Sequence, residues 1–228
     1  MSDSATYAAF WLYKARPHWR RSLENIFSAD DSGAQARFIQ KIGEHSDKVS
    51  LRGAYSTVGF RHDVDMILWF TTQDPDALQR LAVDLNKSDL GPSLDMRYNY
   101  VGTAGSSQYD KTHGPAFMKG TPPKDYLSVY PFTKTPDWFL LPFEDRRDMM
   151  KYHGELGNEF PTILTNTVNS FGIQDQEFIV ALEDDDPSVL VKMVQRLREA
   201  EVRKYTAVDT PIFLGRRKDL TEVLKDLA

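Results

Sequence analysis

A chain of 228 residues, 41% of them hydrophobic, is long enough to bury a sizeable core as one large domain or two small ones. Its 28 basic and 33 acidic side chains leave a formal charge of -5 and no basic stripe, which argues against nucleic acid as a partner. With no cysteine at all, the chain excludes disulfides, thiolate metal sites, iron–sulfur clusters and covalently attached c-type haem.

The opening stretch MSDSATYAAFWLYKARPHWR lacks the pattern of a secretory leader, and no segment has membrane-spanning length. A cytoplasmic protein without a membrane span is expected. YAAFWLYKA, from Tyr7, predicts a strand, and a helical region follows around 17 to 46. GFRHDVDMILWFTTQDPDALQRLAVDL (59 to 85) predicts an apolar strand entered at Asp65. A helix follows, capped by Asp74, with Pro75 at its first position and Leu78, Leu81 and Leu85 on one face. DMRYNYVG (95 to 102) reads as another strand. The stretch GTAGSSQYDKTHGPAFMKGTPPKD (102 to 125) has the composition of a long connector.

The plan then recurs. DYLSVYPF, from Asp125, predicts a strand, and a helical region follows around 142 to 168. In GIQDQEFIVALEDDDPSVLVKMVQRL (172 to 197), Glu177 stands where Asp65 stood. Asp186-Pro187 lies 112 positions after Asp74-Pro75, and Leu190, Met193 and Leu197 repeat the helical stripe at the same offset. KYTAVDTPIFLG (204 to 215) is the closing strand, and RRKDLTEVLKDL (216 to 227) an amphipathic helix that can pack on its own chain or on a neighbour. The expected fold is α+β: two ferredoxin-like halves whose sheets pack into a dimeric α+β barrel-like domain. The halves are expected at 1–101 and 125–228, with 102–124 as connector and the second half carrying the ligand pocket.

The five histidines, His18, His45, His62, His113 and His153, include no pair at the spacing of a helical zinc site. His153 shares a helical stripe with Met149, Leu156 and Phe160. A core histidine bonded to a carbonyl is the ordinary explanation. An axial ligand to haem iron is the sharper one, and Gly154 beside it suits a large group approaching the backbone. VYPFTKTPDWF adds Tyr130, Lys134 and Trp138: a phenol that can be oxidised, a cation for a carboxylate and an indole for a ring wall. Taken singly, each is also explained as a buried aromatic, a solvated charge and core filler. His113, in a glycine- and proline-bounded loop, has the proton affinity of a base for peroxide if that loop covers a cofactor, and is otherwise a surface residue. EDDDP (183 to 187) reads as a cap at Asp186 among solvated turn charges, and RPHWRR (16 to 21) as surface.

YPFTKTPDWFLLPFEDRRDMMKYHGELG resembles the chlorite dismutase-like superfamily, and within it the actinobacterial type of coproheme decarboxylase. The elements that carry the likeness are Y-P-x-x-K, the run WFLLPFEDR and the downstream H-G. The resemblance implies that His153 is the iron ligand and Tyr130 the residue oxidised to take hydrogen from a propionate. It further implies that Lys134 binds or orients that propionate, that Trp138 lies near the porphyrin, and that His113 is the distal base. Coproheme would be both substrate and redox cofactor, haem b the product and hydrogen peroxide the oxidant. The implied assembly is a homopentamer, with the upstream ferrochelatase as a further partner. A haem peroxidase, a chlorite-degrading enzyme or a non-catalytic haem-binding protein are the rival readings. The family's distal arginine is missing: Thr165 or Asn166 stands at its place, and no arginine lies between His113 and Tyr130. Propionate anchoring is therefore left open.

Overall fold

The computed structural model describes residues 5–17, 33–105, 107–109 and 114–227. Its strands are β1 (Thr6–Ala15), β2 (Val49–Ser56), β3 (Met66–Thr72), β4 (Leu94–Ala104), β5 (Tyr126–Lys134), β6 (Leu164–Asn169), β7 (Phe178–Asp184), β8 (Thr206–Val208) and β9 (Phe213–Lys218). Its helices are α1 (Ala34–Glu44), α2 (Pro75–Lys87), α3 (Pro136–Leu140), α4 (Phe143–Asn158), α5 (Pro187–Leu197) and α6 (Leu220–Lys225). No helix among the described residues is long and apolar enough to cross a membrane.

Two compact units result, one from the chain up to Val101 together with the segment from Gly215 onward, the other from Gly102–Leu214. The first unit orders its strands β4-β1-β3-β2, with β9 added beside β2 through Ala54↔Lys218 and Ser56↔Arg216. In the second unit the order is β8-β5-β7-β6, all antiparallel. Both are the ferredoxin-like order, so the α+β class and the two halves are present as expected. The expected second half, 125–228, includes the residues after 214. In the structure Val223, Leu224 and Leu227 are buried in the first unit's core with Phe38 and Ile42, so this short amphipathic helix packs on its own chain.

The caps form as their spacing predicts. Asp74 accepts the Ala77 N–H at 3.0 Å and Asp186 the Ser188 N–H at 2.8 Å, each followed by a proline whose missing N–H is not needed there. Three expectations change. The helical region expected over 142 to 168 ends at Asn158, because Pro161 follows and the β-branched Thr165, Thr167 and Val168 pair with β7 as β6. The strand drawn over 204 to 215 is two strands, β8 and β9, separated by a stretch containing Pro211, which cannot donate to a ladder. EDDDP is not all solvated turn: Glu183 and Asp184 end β7 and are buried, with Glu183 0% exposed. Asn166 Nδ2 donates to Glu183 Oε1 at 3.0 Å and the Lys124 N–H to its Oε2 at 3.0 Å, which is how a carboxylate tolerates that depth. Of the helical region drawn over 17 to 46, residues 18–32 lie outside the described residues, and α1 occupies the described end.

Candidate functional site

Register identifies the matching surfaces of the two halves, and burial shows which is less filled. Trp11 pairs with Leu68 in the first unit and Tyr130 with Val180 in the second. Residues 68 and 180 are separated by the repeat offset, so Trp11 and Tyr130 are counterparts. In the first unit this helix-facing surface is filled: Trp11 (2% exposed), Tyr13, Leu68 and Phe70 are buried against Phe38, Ile42 and Leu81, with Trp11 and Phe70 rings 4.7 Å apart. In the second unit the same surface stays part-open. Tyr130, Phe132, Val180, Phe178 and Thr165 are only partly buried and Thr167 is exposed. Phe178 stacks edge-on against Phe132 at 6.4 Å and Phe171 at 5.0 Å, and Phe171 is 50% exposed. An uncovered aromatic wall of this kind is what a flat apolar ligand needs.

Strand alternation puts Tyr130, Phe132 and Lys134 on that one face, with roughly 13 Å of strand between the first and the last. It also resolves the pair left open at the missing arginine. Thr165 pairs with Leu182 and shares the Tyr130 face, whereas Asn166 pairs with Ala181 and faces the other way. Asn166 is committed there, accepting the Phe117 N–H at 2.9 Å while bonding Glu183, so it does not reach the open face.

Helix α4 brings His153 to the site. Among the described residues its buried Nδ1 has no hydrogen-bond partner, and its pKa is lowered to about 4, first by burial and then by the Lys134 charge. The ordinary explanation for a core histidine, a bond to a carbonyl, is therefore not met at this nitrogen. Lys134, 8% exposed, is pushed down to about 8 by burial, opposed by Glu177 and reinforced by Arg203. Its ammonium lies 4.4 Å from the Trp138 ring centroid and 5.3 Å from that of Phe132. Among the described residues no carboxylate forms a side-chain ion pair with it. Trp138, on α3, is buried against Leu156, Ala200 and Val202, and its indole also meets Tyr109 at 6.3 Å and Tyr205 at 5.6 Å. Tyr130 is pushed up to about 12, chiefly by burial and further by Asp209, with Arg198 and Arg203 pulling the other way. Its ring packs against Ile163, Leu182, Leu190 and Met193.

The structure thus gathers Tyr130, Lys134, Trp138 and His153 in one unit. His113 and His18 lie outside the described residues. His45 belongs elsewhere, its Nε2 2.9 Å from Asp84 Oδ2, and His62 is exposed. Sequence spacing missed the cluster in which Asp209 accepts Arg198 at 2.6 Å and Arg203 at 2.7 Å. Nothing in a linear pattern announces three charges brought beside a tyrosine some seventy residues earlier.

A haem-type group asks for a neutral imidazole, a cation for its carboxylates and flat apolar walls. The orphaned His153 nitrogen, the underpaired Lys134 ammonium and the Phe132, Phe171 and Phe178 wall meet these demands. No group of three or more His, Asp or Glu among the described residues could hold a metal ion, so iron would depend on a single imidazole.

Two expected outcomes arise here. The folded protein binds a proton at His153 less readily than the unfolded chain does. Stability should therefore be intact above about pH 6.5 and fall by a few kcal/mol as the pH drops through 4, an acid limb that His153→Leu removes in pH-dependent urea melts. Around Gly154 a Cβ would meet nothing within 4 Å. Gly154→Ala should therefore stabilise the free protein by about 0.5–1 kcal/mol in a thermal melt, while weakening any ligand that lies against that turn.

The family model described as chlorite dismutase matches residues 32–218. The chain belongs to the chlorite dismutase family. Within the curated relatives it is 33% identical over 201 residues to a coproheme decarboxylase of Mycolicibacterium smegmatis, covering 87% of this chain and 86% of that protein. The crystal structure of the candidate chlorite dismutase TA0507 superposes with a TM-score of 0.82 at 27% identity, over 99% of this chain and 100% of the other. A chlorite dismutase of Candidatus Nitrospira defluvii, solved in complex with imidazole, superposes with a TM-score of 0.86 over 99% and 96% of the two chains. At 18% identity that last likeness speaks for the fold alone. The family's resemblance to this chain therefore reaches both units, and the site described above falls inside the matched span.

Proposed function

We propose that this chain is a hydrogen-peroxide-dependent coproheme decarboxylase that converts two propionates of coproheme to vinyls and releases haem b. The observation that carries the reading is the pairing, among the described residues, of a buried imidazole whose Nδ1 has no hydrogen-bond partner with a buried ammonium in no side-chain ion pair, on the face of β5 that also presents Tyr130. The 33% identical relative named coproheme decarboxylase supports it.

In this reading His153 holds the iron through its neutral imidazole, the form that burial already maintains down to about pH 4. Iron porphyrin with peroxide supplies the oxidising power. Lys134 draws a carboxylate of the ligand to its own end of β5, on the face it shares with Tyr130, with Arg203 as the neighbouring cation and Trp138 and Phe132 as walls. Tyr130, kept protonated by burial, loses an electron and its phenolic proton together. As a phenoxyl radical it then takes a hydrogen atom from the propionate carbon next to the macrocycle. Carbon dioxide leaves with loss of a second electron, and a vinyl group remains. Each propionate consumes one peroxide and one proton and yields carbon dioxide and two waters, so atoms and charge balance. His113 is the residue to which the reading assigns the peroxide proton. A homopentamer in the cytoplasm, fed by a ferrochelatase, is the setting it implies.

Chlorite degradation is the second reading, favoured by the family model's own description. Thr165, standing on the Tyr130 face where an arginine is needed for that chemistry, speaks against it. Mixing the protein with coproheme, titrating peroxide and following porphyrin mass separates the two. Loss of two formic-acid equivalents is expected; an unchanged mass, or rapid chlorite turnover in its place, would overturn the proposal.

A further inference from the structure

The internal duplication singles out one acidic residue beside the site. Tyr13 pairs with Met66 and Phe132 with Phe178, so Lys14 and Ala15 of the first unit correspond to Thr133 and Lys134 of the second, and Asp65 to Glu177. In the first unit Asp65 does two things: its Oδ2 accepts the Ala15 N–H at 3.0 Å and its Oδ1 pairs with the Lys14 ammonium at 2.7 Å. In the second unit Glu177 Oε2 accepts the Lys134 N–H at 2.7 Å, the same backbone contact. The lysine, however, has moved by one residue.

We propose that Glu177 is a positioning residue for Lys134, holding the end of β5 so that a lysine displaced by one step presents its ammonium to a carboxylate of the ligand. The inference rests on the carboxylated-porphyrin reading and deepens it. Because strand side chains alternate, one residue of displacement turns the lysine from the acid's side of the sheet to the open face. There its ammonium sits over the Trp138 ring instead of in an ion pair. Thr133, taking the place of Lys14, brings no cation to Glu177. Two charges act on the Lys134 ammonium, Glu177 ahead of β7 and Arg203 after α5, while the His153 ring on α4, which the ammonium disfavours protonating, is neutral. Of these two charges Glu177 favours the charged amine and Arg203 opposes it. A clamp inherited from a charge-paired sheet end thus leaves its lysine free for a ligand.

Soret titration of coproheme into the wild type, Lys134→Met, Glu177→Ala, Glu177→Gln and the Lys134→Met/Glu177→Ala double variant tests this, with a thermal melt of each to verify folding. Lys134→Met and Glu177→Ala should each weaken binding about tenfold, the scale on which residues supporting a ligand contact act. The double variant should bind no worse than Lys134→Met alone, since Glu177 acts through the lysine. Glu177→Gln keeps an acceptor oxygen for the Lys134 N–H and should stay within about threefold of wild type. Wild-type affinity in folded Glu177→Ala, or losses that multiply in the double variant, would reduce Glu177 to a sheet-end clamp like Asp65 and leave the coproheme reading intact. Failure of the folded wild type to bind coproheme would instead remove that reading and this inference with it.

Discussion

His153→Leu is expected to raise the melting temperature of the free protein while abolishing axial ligation of coproheme, two effects of opposite sign from one substitution. The buried Nδ1 has no partner among the described residues, and an unsatisfied buried polar atom costs about 1–3 kcal/mol. Leucine fills similar space without that penalty, so the free protein should melt a few degrees higher, given the roughly 2–4 °C per kcal/mol of a chain this size. Coproheme should then bind at least about tenfold more weakly and lose the Soret position of an imidazole-bound iron. A residue that lowers stability in the free protein and raises affinity in the complex is kept for binding. A variant that melts lower and binds coproheme with an unaltered spectrum would show instead that His153 is a packing residue.

Tyr130→Phe should leave folding and coproheme affinity nearly untouched and stop conversion at the substrate. The phenyl ring retains its packing against Ile163, Leu182, Leu190 and Met193, so stability should change by no more than about 1 kcal/mol. What disappears is the phenol, the group that the reading assigns a proton and an electron to give together. Decarboxylation should fall by at least about a thousandfold, around 4 kcal/mol of barrier. The check is the mass of the porphyrin after peroxide titration: accumulation of unreacted coproheme is expected, and haem b at the wild-type rate would take the radical role away from Tyr130. Lys134→Met, by contrast, should weaken binding, which separates the two residues experimentally.

Much of this site could be read from the linear chain because its parts lie close in sequence. Tyr130, Lys134 and Trp138 fall within nine residues, and His153 follows on the next long helix. Strand alternation and helical spacing are local rules, so both could be applied without knowing the fold. The two Asp-Pro caps were legible for the same reason: a cap is an interaction between a side chain and a backbone N–H two or three residues away. The limits were equally physical. Local rules did not show that 183 and 184 are buried, because burial depends on what covers the strand and not on the charge of its residues. Nor did they separate Thr165 from Asn166, since a single step in register exchanges the two faces of β6 and only the pairing with β7 sets that register.

By itself the sequence determined most of the element types, the duplication with its paired acids at 65 and 177, and the short list of side chains proposed to hold a porphyrin and act on its propionates. Tertiary structure decided which copy kept an open face. The counterparts Trp11 and Tyr130 are both large aromatic residues, and only the packing around them distinguishes a filled core from an uncovered wall. It decided as well that the lysine at 134 is buried beside an indole and that the histidine at 153 lacks a partner at Nδ1, because desolvation and hydrogen-bond satisfaction belong to groups assembled from distant parts of the chain.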